Sequence, residues 1–272
     1  MGSRKDAKAQ SGGSKHALLW NGSAFIPCAS VPLTDRGFRY GLALFESLAI
    51  RNGRAEFLDA HLARLEAAAL QCGWPLDPVI LARAGEALSQ LGSPAFARIY
   101  VTAGDGAPTA PVTQPRVFLF AEPREAPAAQ AIAVRTHPEP FLPVLGGLKT
   151  ANYWANIAAL QTAQAAGCDE ALLFNPREEL VSACMANVFV ALDGQLVTPP
   201  LSSGARAGVT REWVMQRRAV SERIITREDL QHATHCFLTS CWAGVKPVAV
   251  LDGQPLETGP AETLRAEFFS RA

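Results

Sequence analysis

The sequence predicts an α+β fold in two lobes, and three observations predict it. Strand and helix patterns mix along the chain without the regular βαβ alternation of a doubly wound sheet. Three prolines and two glycines between Pro138 and Gly147 interrupt the pattern near the middle, as a connector between two halves would. The composition, 49% apolar and 18% charged over 272 residues, is that of a globular protein with a real core. Residues 17–140 are therefore expected to form the first lobe, 141–147 the connector and 148–272 the second lobe.

The elements follow in order. Met1 to His16 is rich in Ser, Gly, Lys and Ala, lacks apolar periodicity and is expected to be a disordered tail. Ala17-Leu18-Leu19-Trp20 followed by Asn21-Gly22 signals a strand entering a hairpin turn. Leu44 to Ile50 reads as a strand closed by the turn Arg51-Asn52-Gly53-Arg54. Leu58, Leu62, Leu65 and Ala69 recur at helical spacing, so 58–71 is predicted to be an amphipathic helix, with a second helix from Pro78 to Leu91. Ala97 to Thr102 and Arg116 to Ala121 read as strands separated by a Gly/Pro-rich loop, and Ala131 to Arg135 as another strand.

In the second half, Tyr153 to Ala166 reads as a helix stopped by Gly167, a favoured left-handed cap. Strands are predicted at Glu170 to Asn175, Leu180 to Ser182, Asn187 to Leu192, Cys236 to Thr239 and Pro247 to Leu251. Asp193-Gly194 and Asp252-Gly253 follow two of them as hairpin turns. Thr210 is placed at the start of a helix reaching about Ala219, and the chain from Ala261 is helical.

Bulk properties exclude several function classes. Twenty-five basic residues balance 25 acidic ones, so a basic field for nucleic acid is not indicated, and no aromatic residues interleave with basic clusters. No apolar run approaches the roughly 20 residues that span a bilayer. The six cysteines include no C-x-x-C pair, which argues against a structural zinc site. With no secretory leader recognisable before the first lobe, reduced thiols and a cytoplasmic location are expected.

The most informative residue is Lys149, in the run Gly146-Gly147-Leu148-Lys149-Thr150-Ala151-Asn152-Tyr153. A lysine between a glycine pair and a polar, aromatic turn can serve as a Schiff-base nucleophile. Its company is distinctive: Asp35-Arg36-Gly37 through Gly41, Phe45-Glu46, His61-x-x-Arg64-Leu65, Asn187-x-Phe189, Thr198-Pro199 and Gly208-x-Thr210-Arg211. In their order and spacing these motifs resemble the class IV aminotransferase family, the pyridoxal-phosphate enzymes of fold type IV. The resemblance runs from about Trp20 to the last strand. The family includes branched-chain and D-amino-acid aminotransferases and aminodeoxychorismate lyase.

The resemblance implies pyridoxal 5′-phosphate as cofactor and an assignment for each matching residue. Lys149 matches the Schiff-base lysine. Arg64 matches the arginine on the cofactor phosphate, a role that suits a bidentate guanidinium. Val209 and Thr210 match the residues that complete the phosphate cup, and Thr210 also suits the N-cap of its helix. Ser240 and Cys241 match a second phosphate corner that usually carries two hydroxyls, with a small buried residue as the alternative for Cys241. Tyr153 resembles the tyrosine facing the phenolic oxygen, or else a core aromatic. Asn187 anchors the motif read at the cofactor's edge. Tyr40 and Arg98 resemble substrate-pocket residues, or else are structural. Relatives close the site with a second subunit, so a homodimer is expected, acting on an amino acid or an amino-chorismate.

Several positions depart from the family pattern. Ser182 stands five residues before Asn187, where relatives carry a glutamate that salt-bridges the pyridine nitrogen. Strand alternation does not carry Glu178 or Glu179 to that point. A serine leaves the ring largely neutral and the electron sink weaker, which argues against a fast, general transaminase. Leu42 replaces an aspartate frequent in relatives, and no physical reason for that change is evident. The loop from Thr102 to Pro108 lacks the Arg and His that trap the carboxylate in D-amino-acid aminotransferases. Gly244 and the Met185-Ala186-Asn187 run lean toward the lyase. Amino-group transfer is the leading expectation, lysis of aminodeoxychorismate the rival, and a non-catalytic cofactor-binding relative the third reading.

Overall fold

A computed structural model describes residues 16–92 and 95–271. The expected tail, Met1 to Lys15, lies outside the described residues. His16, read as the end of that tail, instead opens a strand and pairs with Ala121.

The first sheet has six strands: β1 (His16–Trp20), β2 (Phe25–Pro27), β3 (Ala43–Arg51), β4 (Arg54–Ala55), β5 (Ala95–Thr102) and β6 (Arg116–Pro123). They run in the order β2-β1-β6-β5-β3-β4, and every neighbouring pair is antiparallel. Three helices accompany it: α1 (Arg36–Tyr40), α2 (Leu58–Gln71) and α3 (Pro78–Ser89). The apolar stripe of α2 and α3 covers one face of the sheet, where Leu65, Ala69, Leu81, Ala84 and Leu88 pack on Leu48, Ile50, Ile99 and Val117. β3 is buried along nearly its whole length, and Glu46 is its one buried carboxylate.

The second sheet is mixed. Its strands are β7 (Ile132–Thr136), β8 (Glu170–Phe174), β9 (Leu180–Ala183), β10 (Asn187–Leu192), β11 (Gln195–Thr198), β12 (Val220–Glu222), β13 (His235–Ser240), β14 (Gly244–Leu251) and β15 (Gln254–Pro255). The order is β12-β11-β10-β13-β14-β7-β8-β9, with β15 on β14. Helices α4 (Trp154–Ala165), α5 (Val209–Met215), α6 (Arg227–Leu230) and α7 (Gly259–Ser270) flank it. The α+β reading holds, with antiparallel and mixed sheets and flanking helices that follow no βαβ alternation. One boundary shifts: β7 precedes residues 141–147 yet pairs with β8 and β14, so the chain changes sheets between β6 and β7.

The turns behave as their residues dictate. Asn52-Gly53, Asp193-Gly194 and Asp252-Gly253 each place two residues at positive φ between antiparallel strands. After β1, Asn21 Oδ1 accepts from the amides of Ser23 and Ala24 at 3.0 and 2.9 Å, so the hairpin forms with a longer loop. No helix among the described residues is long and apolar enough to cross a membrane.

Candidate active site

The segment after the connector docks against the first sheet and thereby places Lys149. Phe45 N–H donates to Lys149 O at 2.9 Å, and Ala151 N–H donates to Ala43 O at 2.9 Å. These bonds carry the Lys149 amine over the Phe45 ring, 4.2 Å from its centre, and to 3.4 Å from Tyr153 Oη. Burial pushes the Lys149 amine below its ordinary value; Arg206 pushes the same way, against the pull of Tyr153 and Glu46. A lysine so placed holds more of the neutral, nucleophilic form than a surface lysine does.

Arg64 reaches the same cavity from α2. Its Nε and Nη2 donate to Glu46 Oε1 and Oε2 at 2.8 and 2.6 Å, and its Nη1 donates to Ala207 O at 2.6 Å. His61, one turn earlier, lies 2.8 Å from Glu46 Oε2 through Nδ1. Burial alone would raise the Glu46 carboxyl, but His61 and Arg64 outweigh it and hold it down at about 2. The buried carboxylate thus fixes the guanidinium from behind. Five N–H groups belong to a guanidinium, and three are used here, so two remain for an anion.

The start of α5 supplies further donors. Gly208 is the N-cap and offers no side chain, so the first-turn N–H groups stay uncapped toward the cavity. Thr210 is not the cap expected from sequence; it is buried in the first turn, and its Oγ1 makes no hydrogen bond among the described residues. The helix also ends at Met215, before the expected Ala219, and the chain turns at 216–217 before β12 begins at Val220. Gly208 has no room for a Cβ, which would lie 2.0 Å from Asn187 Oδ1. Asn187 is held by its own donation to Arg206 O at 2.8 Å. Thr239 Oγ1 is a second buried hydroxyl without a partner beside this corner. Uncapped N–H groups, two orphaned hydroxyls and a half-used guanidinium fit the phosphate of the expected cofactor.

Lys149, Arg64, Tyr153, Ser182, Asn187, Val209, Thr210, Ser240, Cys241 and Arg98 all line one cavity of about 410 Å³. Ser240 Oγ also accepts from Ala243 N–H at 3.2 Å, which shapes the turn. Burial raises the Cys241 thiol, so it stays protonated as a small, partly buried group. Among the described residues, no aspartate or glutamate lines the cavity. Glu178 pairs with Arg227 at 2.7 Å and Glu179 with Arg177 at 2.7 Å, so neither substitutes for a carboxylate at Ser182.

Tyr40 is the exception. It does not line the cavity, and is 40% exposed beneath the Arg39 guanidinium. The one-turn helix α1 carries it outward, away from the cavity of its own chain.

Sequence reasoning missed Arg206. Its Nη1 donates to Tyr153 Oη at 2.8 Å, and its Nε lies 3.4 Å from Gly147 O. Burial alone would raise the Tyr153 phenol, but Lys149 and Arg206 together pull it below its usual value. The signal available was an arginine two residues before the Gly208-x-Thr210-Arg211 motif, and nothing in its spacing marked it.

Other motif residues prove to be scaffolding. Arg36 is buried and donates through Nε to Gly104 O at 3.2 Å and through Nη1 to Ala110 O at 2.6 Å, pinning the Gly/Pro-rich loop. Asp35 caps α1 through Gly37 N–H at 2.7 Å and accepts from Thr102 Oγ1 at 2.8 Å and Arg116 Nη1 at 2.9 Å. Arg211 donates to Pro199 O at 3.3 Å and pairs with Glu222, which explains why Thr198-Pro199 and Arg211 belong together.

Comparison with known proteins places this geometry. Residues 43–251 match the family described as Amino-transferase class IV. A D-alanine aminotransferase of Bacillus licheniformis is 29% identical over 261 residues, covering 89% of this chain and 90% of that protein. The crystal structure of 4-amino-4-deoxychorismate lyase from Pseudomonas aeruginosa superposes with a TM-score of 0.81 at 30% identity, covering 90% of this chain and 96% of that one. The branched-chain aminotransferase of Thermoproteus uzoniensis, solved with norvaline, gives a TM-score of 0.83 at 25% identity over 93% of each chain.

Proposed function

Because the chain belongs to the class IV aminotransferase family, we propose that it binds pyridoxal 5′-phosphate and transfers an amino group between an amino acid and a 2-oxo acid. The observation that carries this reading is the shared cavity. The buried amine of Lys149 and the anion-binding corner of Arg64 and α5 open onto the same space. When bound, the cofactor supplies a carbonyl and a conjugated ring that make the α-proton of an amino acid removable.

The chain's own residues do the rest. Arg64, the first-turn N–H groups of α5, Thr210 and the Ser240–Cys241 corner would hold the phosphate. Tyr153, backed by Arg206, would face the phenolic oxygen and keep a hydrogen bond directed at it. Ser182 and Asn187 would lie at the opposite edge of the ring, where Ser182 can share a hydrogen bond without holding a positive charge. Lys149 acts as the base that takes the α-proton and returns it, since its amine is buried and its protonation is disfavoured. Arg98 would receive the substrate carboxylate. A second subunit would cover the cavity, and Tyr40 would then serve its partner.

One observation favours lysis of aminodeoxychorismate as a second reading. The cavity has no carboxylate at Ser182, and a reaction driven by aromatisation tolerates a weaker electron sink. The solved lyase of Pseudomonas aeruginosa is also among the similar structures. The two reactions leave different products. Purified enzyme is incubated either with a panel of amino donors plus 2-oxoglutarate or with aminodeoxychorismate. Keto acid from the first mixture is the expected product; pyruvate with 4-aminobenzoate from the second, and none from the first, replaces transfer by lysis. No product from either mixture leaves only a cofactor-binding role and contradicts both.

A further inference from the structure

Two cations converge on one oxygen of the cavity. Arg206 Nη1 donates to Tyr153 Oη at 2.8 Å, and Lys149 Nζ lies 3.4 Å from the same atom. Among the described residues, none of the bonds made by Arg206 or Lys149 goes to a carboxylate. Glu46 faces Lys149 from β3, but Arg64 and His61 already hold it. Arg64 on α2 and the Cys241 thiol in the turn after β13 border the pair, the thiol kept neutral by its burial. Arg98 lies against the Phe45 ring, its Cζ 5.4 Å from the ring centre. The Tyr153 phenol is thus the acid–base group placed between the amine and the guanidinium.

All three groups are held in place. Asn187 Nδ2 donates to the Arg206 carbonyl at 2.8 Å, and Arg206 Nε lies 3.4 Å from Gly147 O, so backbone and side chain are both fixed. The Tyr153 ring meets Phe45 edge-on at 5.3 Å, and the Lys149 amine sits 4.2 Å from the centre of that same Phe45 ring. A guanidinium has no lone pair and always donates. Its bond occupies one acceptor site of Tyr153 Oη, and the phenol hydrogen must be directed elsewhere. Lys149 stands on that other side. Two arrangements satisfy the three groups. Either the phenol O–H donates to a neutral amine, or a phenolate accepts from both cations. They differ by one proton. In passing from the second to the first, an N–H bond of Lys149 breaks, its electron pair stays on nitrogen, and an O–H bond forms from a phenolate lone pair. Burial disfavours charge on the amine, while Arg206 favours charge on the phenol. These opposing pushes keep the two arrangements close enough to exchange.

We infer that Lys149 and Tyr153 share one proton and that Arg206 sets its balance, so that the amine sheds its proton to the neighbouring phenol rather than to solvent. This rests on the reading of Lys149 as the reacting amine, but the shared proton can be measured without any reaction. The chain has three tyrosines, so phenolate formation can be followed by near-ultraviolet absorbance as the full chain, freed of cofactor, is titrated. Subtracting the Tyr153→Phe curve leaves the Tyr153 signal. A shared proton makes that signal rise in two steps, because each step belongs to the pair and not to one group. Lys149→Met leaves a single step. Arg206→Leu lowers the phenolate-to-phenol ratio in the first step about tenfold, as loss of one charge-assisted hydrogen bond predicts. Arg206→Lys keeps a cation and retains part of that step. Far-ultraviolet dichroism shows that each variant is folded. A single step in the wild type, or a first step indifferent to Arg206→Leu, overturns the inference. Absence of covalent cofactor at Lys149 would instead remove the proposed reaction and leave the two-step titration standing, so the two failures are separable.

Discussion

At the scale of single residues, the site depends on how few charges are buried and how each is answered. Glu46 is 1% exposed in the middle of β3, a position where an apolar residue would pack as well. Its retention makes sense because it aims Arg64, and His61 completes its hydrogen bonding. The pairing also makes stability depend on pH. A carboxyl held at about 2 in the fold, against an ordinary 4.5, contributes stability that is complete above 4.5 and lost as pH falls toward 2. The loss amounts to about 3 kcal/mol. Denaturant unfolding across that range should show this loss in the wild type and not in Glu46→Gln, which is already less stable at pH 7 by roughly 2–3 kcal/mol because the partly buried Arg64 is left without its carboxylate. Equal acid sensitivity of the two proteins would show that Glu46 does not carry the pairing. Arg206 shows the limit of reading residues in isolation. Its contact with Tyr153 closes over 53 positions of sequence and has no local signature.

At the scale of elements, the start of α5 is the most constrained piece of backbone. An ordinary helix would place Ser, Thr, Asp or Asn at its N-cap, and such a residue would consume the free N–H groups. Glycine keeps them available and lets Asn187 pass within contact of the backbone. Gly208→Ala should therefore displace Asn187 and weaken pyridoxal phosphate retention by about tenfold or more, a change of at least roughly 1.4 kcal/mol. Equilibrium dialysis of the variant measures it, and unchanged retention would contradict the placement of the phosphate at this turn. The long elements were legible because their periodicity was strong: α2 occupies 58–71 as its leucines specify, and β3 follows its apolar run. Several short elements were not. α1, β2 and β12 have five residues or fewer and lean on tertiary contacts, such as Arg36 to the loop carbonyls, that no local pattern reveals, whereas the four-residue α6 carries a local capping box at Thr226 and Asp229 that the sequence reading passed over. The missed cap at Thr210 has the same origin, since a threonine is a good cap by propensity and the ligand-facing turn demands a glycine instead.

At the scale of the whole molecule, two sheets built from different pairing rules meet along one extended segment, and the reacting amine lies on that segment. Ten of the eleven sequence-derived site residues line a single cavity because β3, the strand ends of the second sheet and the start of α5 converge there. The exception, Tyr40, is exposed on the same short helix as Phe38, which is 64% exposed. A second copy of the chain would cover these exposed aromatics and bring its own Tyr40 to the neighbouring cavity. Sedimentation equilibrium should give twice the chain mass for the wild type, with Phe38→Glu shifted toward the single chain. A monomeric wild type would contradict the shared site.

The whole account depends on Lys149 and the Arg64–α5 corner serving one bound molecule. Borohydride reduction of the cofactor-loaded protein, followed by peptide mapping, tests this most directly. The account predicts one reduced adduct, on the peptide containing Lys149, and none in Lys149→Ala, with the adduct diminished in Arg64→Ala. An adduct on any other lysine, or a yield at Lys149 indifferent to Arg64, would contradict it.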